Sequence, residues 1–246
     1  ILILAFPILI DYFSALLIHR NTGRRRKLWL VLSILSTTTL LVLFKYFNFF
    51  NGICLQIAQT LHLNYRIEMI ELILPIGLSF HTFQSLSYVI EVYRGNQIPE
   101  RHFGIFALYV MFYPQLVAGP IERPQNLLHQ FHEEHYFDYH RVVNGLKLMA
   151  WGLFKKVVIA DRLGLLVNQV FDNPTVFNGP AYVMATLFFA YQIYCDFSGY
   201  SDIACGSAQV MGFRLMTNFN YPYFSKTPSE FWTRWHISLS TWFKIG

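Results

Sequence analysis

Apolar residues fill this chain in long runs, and polar residues punctuate the runs rather than alternate with them. Residues 1–18 ("ILILAFPILIDYFSALLI") and 28–47 ("LWLVLSILSTTTLLVLFKYF") are the first two. A helix of about 20 apolar residues spans a hydrocarbon core of roughly 30 Å, so a helix is predicted over each. Between them, "HRNTGRRRK" (19–27) packs five Lys/Arg into nine residues, which marks a cytoplasmic loop by the positive-inside rule. Residues 48–72 are mixed and are predicted at the opposite interface. A third span, 73–93, carries Pro75, Gly77, His81, Gln84 and Glu91. So many polar groups face protein or a wet cavity, not lipid. The loop 94–102 returns to the cytoplasmic side by alternation.

Residues 103–118 run apolar into "AGPIERPQ" (118–125), where two prolines and a glycine cannot continue a helix. Irregular backbone at membrane depth must be buried in protein or line water, so a re-entrant turn or an interfacial loop is expected. "HQFHEEHYFDYH" (129–140) is polar and interfacial. Helices follow over about 141–162 and 180–197. The latter runs into "YCDFSGYSDIACGSAQVMGF" (194–213), whose small residues permit close helix packing. The expected fold class is all-α: a polytopic transmembrane helical domain with re-entrant or interfacial segments, with residues 1–246 as a single membrane-embedded domain.

Composition agrees with that pattern. Hydrophobic residues make up 54% and charged residues 13%, against roughly 25% charged in soluble domains; the mean hydropathy is +0.35. The net charge of +5 sits at the ends of apolar runs, as topology charges do. There is no basic stripe with interleaved aromatics, so nucleic acid is not expected as a partner. Three cysteines without CxxC spacing suggest neither a disulfide framework nor a zinc site. With no initiator Met, no recognisable signal peptide and Ile1 already inside an apolar run, the chain is expected to be a piece of a longer protein, truncated at both ends.

"TPSEFWTRWHISLSTWF" (227–243) has a helix-start signature, with Thr227 as N-cap, Pro228 first in the helix and Glu230 as capping-box partner. One amphipathic helix is predicted. Phe231, Trp232, Trp235, Leu239, Trp242 and Phe243 form its apolar stripe. His236 falls just beyond the stripe's edge, one turn before Ser240. That border between wet and dry suits a tuned imidazole or a substrate contact; an incidental histidine on an interfacial helix is the alternative.

Asp196 and Asp202 flank "FSGYS" at the end of a span. Intramembrane carboxylates are functional candidates, as substrate-path lining or in proton handling. Gly199 and the serines suggest a helix break whose freed backbone groups these carboxylates could satisfy instead. The histidines at 129, 132, 135 and 140 lack HExxH spacing, and no metal site is expected. Lys155 and Lys156 could hold an anionic head group, most simply lipid phosphate reached by snorkelling. No Gly-rich phosphate loop and no GxSxG elbow occurs.

Several stretches together resemble the membrane-bound O-acyltransferase (MBOAT) family, most of all its alginate O-acetylation branch. They are "FKYFNFF" (44–50), "LPIGLSFHTFQSLSYVIEVYRG" (74–95), "FYPQLVAGPIERP" (112–124), "GLFKKVVIADRL" (152–163), 194–213 and "NFNYPYFSKTPSEFWTRWHISLSTWF" (218–243). The resemblance implies a multi-pass protein of the bacterial inner membrane. It would move an acyl group, here acetyl, from a cytoplasmic donor towards hydroxyls of an extracytoplasmic polysaccharide. No bound cofactor is implied; acetyl-CoA or another acyl thioester is a substrate, and extracytoplasmic acetyl-transfer proteins are partners. His236 matches the first of two family histidines, the supporting one. Asp196, Ser198, Tyr200, Asp202, Trp235 and Ser240 are candidates for the substrate path. The second family histidine lies in a "GLWHG"-like motif that this chain does not contain, so the piece alone is expected to be inactive. A transporter or channel, and a non-catalytic scaffold of an acetylation complex, remain the alternatives.

Overall fold

The apolar runs become long helices, several of them longer than the hydropathy pattern suggests. A computed structural model describes residues 2–64, 67, 77–116 and 119–244, and among them all regular structure is helical. The chain divides into two compact units, Ile1–Met111 with Arg123–Gln125, and Phe112–Glu122 with Asn126–Gly246.

The first unit holds α1 (Leu2–Arg20), α2 (Gly23–Thr60), α3 (Leu78–Arg94) and α4 (Phe103–Val110). Among the described residues, α2 is the one helix long and apolar enough to cross a membrane. It does not stop at residue 47 but runs on through the segment expected at the far interface; its 38 residues extend about 57 Å. The predicted basic loop shrinks to Asn21 and Thr22. Its arginines instead open α2, where Arg26 donates to the Val92 carbonyl at 3.4 Å and to the Tyr93 carbonyl. A cation thus meets the carbonyl end of α3, the favourable pole of that helix. Of the third predicted span, 73–76 lie outside the described residues. His81, Gln84 and Glu91 are buried in protein, as their polarity requires.

Two carboxylates tie this unit together. Asp11 on α1 is fully buried and accepts from Ser33 at 2.5 Å, from Thr37 at 3.0 and 3.2 Å, and from Ser85. One side chain therefore pins α1, α2 and α3. Glu91 accepts from Asn96 at 3.0 Å, Gln125 at 2.7 Å and Arg123 at 3.3 Å, which docks residues 123–125 against α3.

The short α5 (Pro124–Leu127) is divided between the units at Gln125; the second contains α6 (Tyr139–Leu153), a π-helical stretch (Phe154–Ala160), α7 (Asp161–Phe171), α8 (Gly179–Met211), α9 (Pro228–Arg234) and α10 (Ile237–Lys244). Asp138 caps α6, accepting from the Arg141 N–H at 2.6 Å. The helix expected over 141–162 becomes α6, the π turn and α7 in direct succession. The break expected at Gly199 is absent, because α8 is continuous through it. Gly199 serves packing instead. A Cβ there would lie 2.7 Å from the Gly152 carbonyl oxygen, and one at Gly152 would lie 2.6 Å from the Gly199 oxygen. Gly145 and Gly206 face each other in the same way, at 2.7 and 2.6 Å. The two pairs lie seven residues apart on each helix, so α6 and α8 run antiparallel along a glycine seam, with backbone against backbone.

Residues 213–223 then run back along α8. Asn218 Nδ2 donates to Ser201 at 3.3 Å and Tyr223 donates to the Ala190 carbonyl at 2.6 Å. Gln130 clamps Arg214 on both backbone groups, at 2.8 and 3.0 Å. The fully buried Glu122 accepts from the Met216 N–H.

Candidate functional site

The closing segment starts as its sequence predicts and then departs from it. Thr227 caps α9, accepting from the Glu230 N–H at 3.1 Å; Glu230 reaches back to the Lys226 N–H at 2.8 Å. The single helix expected over 227–243 is broken, because Trp235 is extended and His236 takes a positive φ of 43°. Histidine adopts this left-handed region more readily than most side chains. Two backbone bonds hold the kink in place: Asn220 N–H to the Arg234 carbonyl and Ile237 N–H to the Asn218 carbonyl, both 2.9 Å. His236 is therefore not the border residue of a helical stripe but the residue that opens α10, its carbonyl accepting from the Ser240 N–H at 2.9 Å.

Around the imidazole a small polar network forms. Asn218 is buried, and its Oδ1 lies 3.1 Å from His236 Nδ1. The same oxygen accepts from the Ser238 N–H at 3.2 Å and from the Ser238 hydroxyl at 2.9 Å. Phe197 meets the imidazole edge-on, with centroids 4.7 Å apart at 89°. α9 and α10 have seven and eight residues, too few to span a bilayer. Burial pushes the His236 imidazole down to about 4, so it is neutral at physiological pH. Trp235 stacks on Phe231 at 5.4 Å and meets Phe219 edge-on at 5.2 Å. Ser240 donates to the Trp235 carbonyl at 3.3 Å. Together these rings wall one side of the kink.

The two aspartates do not serve a broken helix. Asp202 pairs with Lys155 at 2.7 Å, and Lys155 also donates to the buried Ser198 at 3.0 Å. Asp196 pairs with Lys156 at 2.7 Å, and Lys156 reaches Asp161 at 2.8 Å and lies 5.9 Å from the centre of the Tyr200 ring. The lysines, expected to meet phosphate, are thus supplied with carboxylates from within the protein. They lie in the π-helical stretch, a departure from α geometry that recurs at functional sites.

The α8 stretch 196–202 organises all of this by i,i+4 pairs. Positions 196 and 200 face Lys156. Positions 197 and 201 face His236 and Asn218, and 198 and 202 face Lys155. Six of the predicted residues are therefore joined to His236 either through α8 or through its own kink. Sequence reasoning missed Asn218, for which periodicity offers no signal. It also missed Asp11, which a carboxylate inside an apolar run should have flagged. Among the described residues no three His, Cys, Asp or Glu side chains converge as metal ligands would; His135 bonds the Gln130 carbonyl at 2.8 Å and packs on Phe213. A cleft of about 560 Å³ opens along the 213–217 segment, lined by Arg141, Cys205, Gln209, Arg214 and Thr217 among others.

Comparison with known proteins gives this site its context. The model of the membrane-bound O-acyltransferase family matches residues 102–244, which covers the lysine pairs and the His236 kink. A probable alginate O-acetylase, AlgI, of Pseudomonas aeruginosa is 42% identical over 224 residues, covering 90% of this chain and 42% of its own length. A peptidoglycan O-acetyltransferase of Helicobacter pylori is 35% identical, over 98% of this chain and 50% of its own length. A teichoic acid D-alanyltransferase of Streptococcus thermophilus is 29% identical, over 69% of this chain and 42% of its own length. The chain thus spans about half or less of the length of the curated relatives it matches. Helical throughout its described regular structure, and matched by the family's model over more than half its residues, the chain belongs to the membrane-bound O-acyltransferase family.

Proposed function

We propose that the whole protein is a multi-pass O-acetyltransferase of the bacterial inner membrane, and that residues 1–246 belong to its single membrane-embedded catalytic domain. It takes acetyl from a cytoplasmic acyl thioester, acetyl-CoA or an acylated carrier, and passes it towards hydroxyls of an extracytoplasmic polysaccharide. Partner proteins outside the membrane complete delivery to the polymer. The donor is consumed as a substrate, and no resident cofactor is needed.

The observation that carries this reading is the neutral His236, held at a kink by Asn218 and walled by aromatic rings. In that setting an imidazole contacts a reacting group while bulk water is kept away. The other polar candidates, Asp196, Ser198, Tyr200 and Asp202, sit on the stretch of α8 whose Phe197 packs against it, and are proposed to line the approach. The two guanidinium groups of the Arg141–Arg214 cleft suit a phosphate-bearing donor. The base that takes the hydroxyl proton is assigned to the second family histidine, in the motif these residues do not include.

His236→Ala in the full-length gene tests the proposal. Acetyl-ester content of the cell-surface glycan should fall about 10²-fold or more, with membrane levels of the protein unchanged. Wild-type acetylation would make His236 structural. A deletion strain separates the transporter reading, since a transporter gives no reason for acetyl to be lost while the polymer is still exported.

A further inference from the structure

Asn218 does more than anchor a loop. Its Oδ1 sits 3.2 Å from the Ser238 backbone N–H, a group that can only donate. The atom facing it must therefore be the amide oxygen and not the NH2, and this fixes which way the amide points. The other end of the amide agrees, because Nδ2 donates to Ser201. The same Oδ1 lies 3.1 Å from His236 Nδ1. An amide oxygen offers lone pairs only, and the Ser238 hydroxyl, 3.4 Å from Nδ1, gives its hydrogen to that same oxygen at 2.9 Å, so Nδ1 carries the hydrogen. A neutral imidazole has one N–H, and its other nitrogen is then a bare lone pair. Among the described residues no hydrogen bond reaches that nitrogen, Nε2.

We infer that Asn218 is a positioning residue that holds His236 in the Nδ1–H tautomer, so that Nε2 accepts a hydrogen bond from a substrate hydroxyl. A histidine in this state cannot donate to the acyl donor's carbonyl oxygen, which offers only lone pairs. The partner of His236 is therefore a group that brings its own hydrogen, and the proposal assigns it to a neighbouring hydroxyl of the acceptor sugar, the attacking hydroxyl giving its proton to the second family histidine. Asn218 touches no reacting atom; it acts through the imidazole, as the partner of the second ring nitrogen generally does. The Ser238 N–H fixes the oxygen from the far side, so the amide cannot turn over without leaving that donor facing an NH2 group; the Ser238 hydroxyl, which can donate or accept, adds its hydrogen bond at 2.9 Å.

The inference rests on the acyl-transfer reading for the identity of the hydroxyl, but the tautomer does not. Nitrogen-15 NMR of the full-length protein labelled at histidine, with His236 assigned by the signal lost in His236→Gln, reads the tautomer directly. The Nδ1–H form is expected in the wild type. Asn218→Leu, which removes the acceptor, should lose that preference and lower acetyl transfer about 10²-fold. Asn218→Asp keeps an acceptor oxygen of the same reach; it should restore the Nδ1–H form, recover most of the transfer and make His236 more basic. An Nε2–H signal in the wild type overturns the inference even if acetylation is normal. So does an unchanged signal and unchanged transfer in Asn218→Leu. Should the leucine variant fail to fold, the isosteric Asp variant decides: a His236 that titrates as in the wild type refutes coupling through Asn218. If the Nδ1–H form is found but His236→Ala acetylates normally, the tautomer stands and the functional reading fails.

Discussion

Gly199→Ala adds one methyl group where α8 meets α6 backbone to backbone. Its Cβ would lie 2.7 Å from the Gly152 carbonyl oxygen and 3.2 Å from the Lys156 N–H nitrogen, with ordinary contact beginning near 3.4 Å. The obstructing atoms are main chain, which no rotamer change can move, so the helices must part by about 0.7 Å. Overpacking of this kind costs roughly 1–3 kcal/mol. The parting also acts on the 2.7 Å Lys155–Asp202 pair one turn along, which a neighbouring substitution at Gly206 or Gly145 would disturb less. Thermal unfolding of the detergent-solubilised full-length protein should show Gly199→Ala and Gly152→Ala each destabilising. The double variant should lose less than the two effects added together, since one separation relieves both clashes. Gly145→Ala should destabilise similarly yet retain more acetyl transfer than Gly199→Ala. Full additivity, or single variants within about 0.5 kcal/mol of wild type, would show that the seam is not packed as described.

Glu122 and the two lysines give further tests. Burial pushes the Glu122 carboxyl up to about 7, against an opposing pull from the Met216 N–H. A raised folded-state value means its contribution to stability is complete below the ordinary carboxylate range and is lost as pH rises through about 7. The thermal midpoint should therefore fall between about pH 4.5 and pH 7 and level off above that, and Glu122→Gln, which keeps an oxygen for Met216, should flatten that fall; an equal slope in the variant refutes the argument. Lys155→Met leaves Asp202 without its cation at a largely buried site and should cost on the order of 3 kcal/mol. Lys156→Met breaks a more exposed pair and should cost less than about 1 kcal/mol. Equal losses in chemical denaturation would mean that the difference in burial has no energetic consequence.

Apolar periodicity made the helical class legible, and with it the existence of most helices. Their ends were not legible, because Asn48 and Asn51 look like an interface to a hydropathy window, yet Asn51 is buried by tertiary contact. Gly199 was misread for the same reason. A glycine among serines suggests a break locally, and only the partner helix shows it to be a contact. The equal spacing of Gly145–Gly152 and Gly199–Gly206 was the available signal. The two aspartates were visible as intramembrane carboxylates and the two lysines as a pair for an anionic head group, and considered separately they were given separate partners. At the closing segment Thr227 and Pro228 start the helix as read, with Glu230 reaching back to Lys226 rather than to the Thr227 N–H of a capping box, while the kink at His236 was hidden. The aromatic spacing continues across it, and its cause, Asn218, lies eighteen residues away.

The three i,i+4 stripes on α8 have a mechanical consequence. Side-chain atoms about 5 Å from a helix axis travel nearly 2 Å for each turn of roughly 20° about it, enough to break every contact that stretch 196–202 makes. The helix is thus keyed on three sides at once, and neither charged side can slip without dragging the imidazole's neighbours along. A turn of α8 that parted either lysine from its aspartate would move Phe197 against the imidazole as well, since all three contacts are carried by one rod.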